Sequence, residues 1–288
     1  MAIDYPSLKN RHFEPVTHAY DHRDTILYAL GVGAGYEPGQ VGDLALVYEK
    51  NLQALPTMAV VLGYAGFWLR SPDSGIDWRA VLLVDHELII ERPLRAQGTV
   101  IGHTRVVEVY DKGPGRGAML VTERRITDAE TGEAIARVRL TEYCRGEGGF
   151  EGPGPVPRPS DPVPHRPADW KMTLPISRQA ALVYRLTGDD NPLHVDPQVA
   201  RGVGLEQPVL HGLCTVGMIG LALSRTLGGQ RPETLRSMHL RFCAPVFPGE
   251  TLQVSIWREP GGEGRFRAWV IERDSLVVDE GRCSFEFT

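Results

Sequence analysis

Apolar and polar residues alternate over 252–257, where Leu252, Val254 and Ile256 interleave with Gln253, Ser255 and Trp257. Phe266, Ala268 and Val270 repeat the alternation after a glycine-rich break. Successive strand side chains point to opposite faces, so period two predicts strands with one buried face. The stretch 245–274 has a counterpart at 93–126: Thr99 answers to Thr251, and the turn GPGRG (113–117) to PGGEG (260–264). Such hairpin turns need positive φ, which glycine supplies at no steric cost.

Each half also opens on a short helical pattern, RDTILYALGVG (23–33) and SRQAALVYRLTGD (177–189), with Tyr28 and Leu30 answering to Tyr184 and Leu186. The longest apolar segment is HGLCTVGMIGLALSRTLG (211–228), polar only at its ends and stopped at Gly228–Gly229. A helix apolar nearly all round must be wrapped on most sides, and a curved antiparallel sheet is the simplest wrapping. The predicted fold class is therefore α+β, a sheet-wrapped helix twice over. The first-half helix is expected within 42–64, where Pro56 breaks the pattern. Between the halves, 145–169 is dominated by Gly, Pro and charge and predicts no regular element. The expected units are 1–147, a linker at 148–168, and 169–288.

Composition narrows the function classes. Of 288 residues, 31 are basic and 36 acidic, for a formal charge of −5, with no Lys/Arg run. That excludes a basic nucleic-acid footprint. No run of 18 apolar residues exists to span a membrane. The N-terminus lacks a signal-peptide pattern, and the expected location is the cytoplasm. Cys144, Cys214, Cys243 and Cys283 are scattered, with no C-x-x-C pair. They are expected to be reduced and mostly buried, neither a disulfide scaffold nor a zinc site. No glycine-rich nucleotide loop follows a strand.

The chemistry concentrates in LTGDDNPLHVDP, residues 186–197. Ser177 is a candidate N-cap for the preceding helix, which Thr187–Gly188 end. Pro192 pushes Asn191 out of the helical region, and Asp196–Pro197 reads as an N-cap with Pro at the first helical position. Asp189 and His194 then share a rigid loop and can converge on one small molecule such as water. Asp and Asn also occur on turns for local reasons alone. Downstream, His211–Gly212 opens the long helix, whose first N–H groups favour negative charge and suit an oxyanion. An acid–base pair beside an oxyanion site suits chemistry next to a carbonyl. Asp196 is read mainly as a cap, Tyr184 as core and Cys214 as buried. His86 and His103 are expected at the surface of first-half strands. Trp257 and Trp269 need no role beyond the sheet.

YRLTGDDNPLHVDP followed by LEQPVLHGLCTVG resembles the MaoC-like hydratases, the enoyl-CoA hydratase 2 family. ILYALGVGAG (26–35), LVYEKNLQALPTMAVVLG (46–63), DKGPGRGAMLV (111–121) and LRFCAPVFPGETL (240–252) extend the resemblance over nearly the whole chain, in the fused double-hot-dog form. The resemblance implies catalytic roles for Asp189 and His194, a positioning role for Asn191 and an oxyanion-hole N–H at Gly212. It implies reversible addition of water to trans-2-enoyl-CoA, giving (R)-3-hydroxyacyl-CoA without cofactor or metal, in a homodimer. The first half lacks the motif, reading GVGAGYEP (31–38) where the second reads TGDDNPLH, and is the degenerate repeat that makes room for the acyl chain. Arg185, His211 and Arg241 are the candidate substrate contacts. Ala244 stands where family members often carry a lysine, which puts the CoA-phosphate contacts in question. The alternatives are a hot-dog thioesterase, a dehydratase of carrier-bound or steroid side-chain thioesters, and a non-catalytic acyl-CoA-binding protein. The Asp189–His194 pair argues against the first and the last.

Overall fold

The computed structural model describes residues 3–38, 41–156 and 160–287. The first half contributes strands β1 (Val16–Tyr20), β2 (Val81–Ile90), β3 (Gly98–Asp111), β4 (Ala118–Asp128) and β5 (Ala134–Cys144). The second contributes β6 (Trp170–Pro175), β7 (Leu235–Phe242), β8 (Thr251–Arg258), β9 (Glu263–Val270) and β10 (Ser275–Phe285). The helices are α1 (Tyr5–Lys9), α2 (His22–Gly31), α3 (Leu44–Val47), α4 (Ala180–Tyr184), α5 (Pro197–Gly202) and α6 (Gly212–Arg225). None of them is long and apolar enough to cross a membrane.

All ten strands form one antiparallel sheet in the order β1-β3-β4-β5-β2-β7-β10-β9-β8-β6. Read outward from the β2–β7 seam, each half runs through the same topology. The seam is in register at Leu88–Met238 and His86–Leu240. The predicted hairpin strands 252–257 and 266–270 are β8 and β9, and Leu252, Val254, Phe266, Ala268 and Val270 are fully buried.

Helix α6 occupies the hollow of the second half, and every residue from Cys214 to Ser224 is buried. Two glycines set its closest approaches. A Cβ on Gly217 would lie 2.4 Å from Val32 Cγ1 and 2.7 Å from the Tyr28 hydroxyl, and one on Gly220 would lie 2.4 Å from Thr57 Cγ2. Helix α6 thus docks on α2 and on first-half residues Pro56–Val60. At its C-terminal end Arg225 pairs with buried Asp43 at 2.5 Å. The helix stops at Arg225, short of Gly228, because Thr226 leaves helical geometry at ψ −87°.

The expected first-half helix within 42–64 is not there. The segment divides into α3 and a 3-10 turn at Pro56–Val60. Asn51 adopts a positive φ of 58° before Pro56, and Gly63 a positive φ of 59° after it. At Gly63 the chain must pass within contact of Gly102, so neither end can continue as helix. The Ser177 cap is also displaced. Its hydroxyl accepts from Gln179 N–H at 3.2 Å, one turn ahead of α4, which spans only five residues.

Between Cys144 and Trp170 the described residues form no helix or strand; 157–159, within the expected linker, lie outside them. Asp111 holds the start of this stretch, accepting from Gly149 N–H at 2.8 Å and Glu151 N–H at 2.9 Å. His86 corrects the surface expectation. It faces inward on β2 and is fully buried, because its register sets it beside Leu140 and Leu240. His103, on the outward face of β3, is exposed as expected. Three cysteines are buried, whereas Cys243, just past the end of β7, is exposed.

Candidate active site

The loop between α4 and α5 is built by local hydrogen bonds. After α4 a 3-10 turn, Arg185–Thr187, ends at Gly188 with φ 121°. The Asp189 carboxylate accepts from Asn191 N–H at 3.3 Å, and the Asn191 side-chain oxygen accepts from Leu193 N–H at 3.0 Å. Asn191 thereby caps the 3-10 turn Pro192–His194, with Pro192 at its first position. The Asp196 carboxylate caps α5 by accepting from Gln198 N–H at 2.8 Å. The loop is rigid because polar side chains satisfy its backbone.

This loop presents Asp189 and His194 to a cavity of about 550 Å³ that both halves line. Its apolar wall includes Phe67, Trp68, Leu83, Leu140, Phe242 and Val246. His194 Nδ1 lies 2.8 Å from the Val209 carbonyl oxygen. A carbonyl only accepts, so Nδ1 carries the hydrogen and neutral His194 keeps its lone pair on Nε2. Burial holds the imidazole below its ordinary pKa and the Asp189 carboxyl above its own, although each attracts the charged form of the other. Burial wins in both, so the site disfavours separated charge.

His211 lies behind this pair. Its ring stacks on His194, centroids 3.8 Å apart, and Nε2 is 3.3 Å from the Asp189 backbone oxygen. Burial first and His194 second push it down to about 2, which keeps it neutral. It acts as packing behind His194 and forms no part of the cavity wall. Asp189, His194 and His211 each offer one ligand atom within 4.8 Å of the others, so the same trio could gather around a metal ion.

At the start of α6, both Cys214 N–H and Thr215 N–H donate to the His211 oxygen, at 3.1 and 3.2 Å. The N–H groups of Gly212 and Leu213 precede the first helical acceptors and are free to bind an anion. Gly212 lines the cavity, and a Cβ there would sit 3.1 Å from Leu83 Cδ2 and 3.4 Å from Phe242 Cζ.

The structure therefore brings Asp189, Asn191, His194 and Gly212 to one cavity. Arg185 and Arg241 are not in its wall. Arg241 is exposed near the end of β7, where it lies 3.7 Å from Glu280. Ala244 does line the cavity. Sequence reasoning missed Tyr64, Thr104, Arg124 and Glu142, all in the wall. Burial and Asp189 raise Glu142 to about 7. Arg124 and Glu142 had a legible signal: they are charged residues on the inward period of their strands, after Leu120 and Thr122, and after Val138 and Leu140.

A MaoC like domain matches residues 160–279 and an MFE-2 hydratase 2 N-terminal domain matches 18–146. 3-Hydroxyacyl-thioester dehydratase Y of Mycobacterium tuberculosis is 39% identical, over 99% of each chain. The peroxisomal enoyl-CoA hydratase 2 of Arabidopsis thaliana is 32% identical, over 91% of this chain and 89% of its own. The crystal structure of a MaoC-like dehydratase from Phytophthora capsici superposes with a TM-score of 0.83 at 33% identity, covering 98% and 99% of the two chains. A Mycobacterium tuberculosis protein with a double hotdog fold (TM-score 0.61, 16% identity, 99% of each chain) shares the fold. The chain belongs to the MaoC-like dehydratase and enoyl-CoA hydratase 2 family, in its fused double-hot-dog form.

Proposed function

We propose that the protein adds water reversibly to a trans-2-enoyl-CoA, giving the (R)-3-hydroxyacyl-CoA. The observation that carries this is the placement of Asp189 and His194, with functional atoms within 4.8 Å, in a cavity that also holds the N-terminus of α6. That spacing accommodates one water held by both groups. The substrate thioester oxygen accepts from Gly212 N–H, which stabilises the charge that develops there. His194 Nε2 takes a proton from the water as its oxygen bonds to C3. The pair returns a proton to C2 on the same face, and burial equips the Asp189 carboxyl to hold that proton. Proton transfer from His194 back to Asp189 resets the pair. General acid–base help of this kind is worth ~10²–10⁴-fold. Asn191 keeps His194 in place by capping its turn. The first half supplies room for the acyl chain.

The names of the relatives, an enoyl-CoA hydratase 2 and a 3-hydroxyacyl-thioester dehydratase, support the same reaction. The reading includes a cytoplasmic homodimer, which light scattering and cell fractionation test. The primary experiment follows the enoyl-thioester absorbance on adding protein to trans-2-enoyl-CoAs of graded chain length. Loss of absorbance with hydroxyacyl-CoA formed is expected. Release of free CoA instead would replace this reading with a thioesterase.

A further inference from the structure

The cavity wall contains a buried cation, Arg124, that has no counter-ion among the described residues. Arg124 lies on the inward face of β4, opposite Thr104 of β3 and Val138 of β5. It is 6% exposed and lines the cavity. One guanidinium nitrogen donates to the Val60 carbonyl, and the group lies 5.4 Å over the Tyr64 ring. Its Nε has no acceptor, and the Thr104 hydroxyl beside it has no partner either. Among the described residues no carboxylate pairs with Arg124, and burial lowers its pKa from the ordinary arginine value. The adjacent Glu123 faces the other side of the sheet, where Arg105 and Arg139 each donate to it at 2.8 Å. Glu142, in the same wall, faces Asp189 and has no ion pair with Arg124.

A buried charge is costly unless something pairs with it. A cavity meant only for a hydrocarbon chain would gain from an apolar side chain here, as at Leu120 or Ile126 on the same strand face. Two unsatisfied donors on neighbouring strands, turned into a substrate cavity, need an oxygen acceptor. Guanidinium geometry matches carboxylate best and also serves a carbonyl or hydroxyl.

We infer that the preferred substrate carries an oxygen function on its acyl group, which docks against Arg124 and Thr104 in the first-half wall of the cavity. This rests on the acyl-CoA reading above and makes Arg124 a specificity-determining residue.

The test compares trans-2-enoyl-CoAs of equal chain length ending in methyl, in a ketone and in a carboxylate. The expected kcat/KM ratio of at least one oxygenated substrate over the methyl-ended one is about 10- to 100-fold. Arg124→Met and Thr104→Val should pull that ratio toward one, with Arg124→Lys retaining part of it. A ketone preference and a carboxylate preference both support the inference, and they identify the oxygen source. Equal rates for all three in wild type overturn it. So does an Arg124→Met variant that slows all three by one common factor, which would assign Arg124 to the thioester or the pantetheine. Titration calorimetry with the matching saturated acyl-CoAs keeps the two readings separable. Tighter binding of an oxygenated chain without any hydration would sustain this inference and sink the hydratase. Hydration with no oxygen preference in rate or binding would do the reverse. Folding of each variant is checked by circular dichroism, and Thr104→Val, nearly isosteric, carries the test should Arg124→Met not fold.

Discussion

If Asp189 and His194 hold a single water between them, their contributions cannot multiply. Their functional atoms lie within 4.8 Å, which places both in contact with the same molecule. Asp189→Asn or His194→Gln alone should lower kcat by ~10²–10⁴-fold, about 3–5 kcal/mol of barrier. Two independent groups would lose ~10⁴–10⁸-fold together by simple addition of those barriers. Groups acting as one unit lose little more than the worse single change, so the double variant should fall within about tenfold of it. Hydration kinetics of the wild type, both singles and the double close the cycle. Stability provides the control. Burial raises the folded-state pKa of Asp189, so its ionised form costs stability at any pH above the unfolded value near 4. Asp189→Asn should therefore leave urea stability at pH 7 unchanged or higher while activity collapses. Fully multiplicative losses would refute the shared water, and a destabilised Asp189→Asn would refute the reading of burial.

Three further outcomes follow from the packing. Burial holds His86 near 3 and His211 near 2, against an unfolded value near 6.5. The unfolded chain alone then takes up these protons on acidification. Stability present above pH 6.5 is lost below it, by about 4 kcal/mol at pH 5 for the two residues together. Glu142, raised to about 7, works in the opposite direction over the same range, so the test compares profiles of urea midpoint against pH between variants. His86→Leu should remove half of the histidine contribution, and a His86→Leu profile parallel to the wild type would contradict the assignment. Gly217→Ala should cost about 1–3 kcal/mol, since its Cβ meets Val32 and Tyr28. Gly202→Ala, with nothing within 4 Å, should be neutral or stabilising; equal thermal shifts would remove the close-approach argument. Cys243 is exposed and lines the cavity. Native-state alkylation should mark it ahead of Cys144, Cys214 and Cys283, and saturating acyl-CoA should slow the reaction.

Much of the second half was legible because its signals are local. Asp196 before Pro197 caps a helix in the structure as in the string, and Gly212 begins α6 as the apolar pattern begins. Period two located β8 and β9. The first half was harder for a physical reason. An apolar run reads alike whether it is helix or plug, and residues 54–62 are buried in succession around only one 3-10 turn. What ended that helix, positive φ at Asn51 and the Gly63–Gly102 contact, is tertiary. His86 was misplaced because a histidine on a strand carries no label for which face it takes. His211 was expected to contact substrate, yet its ring lies outside the cavity wall and packs behind His194.

The missing helix and the cavity have one cause. Both halves build the same five-stranded order, but only the second fills its hollow with a long helix. In the first, a turn of five residues stands in that place, and the inner faces of β2–β5 are left to line the cavity. The acid–base loop and the α6 N-terminus reach that cavity from the other half. On the proposed reading the chemistry rests on the second half, whereas both halves line the cavity, the first through the inner faces of β2–β5 and the second through residues such as Phe242 and Val246. Substitutions at Tyr64, Thr104 or Arg124 can reshape the space for an acyl group without touching the loop that holds Asp189 and His194. On the proposed function, changes in the β2–β5 wall should alter which substrate is accepted, and changes at Asp189 or His194 should alter how fast it reacts. That independence would let one family keep a single reaction while its relatives diverge in acyl group.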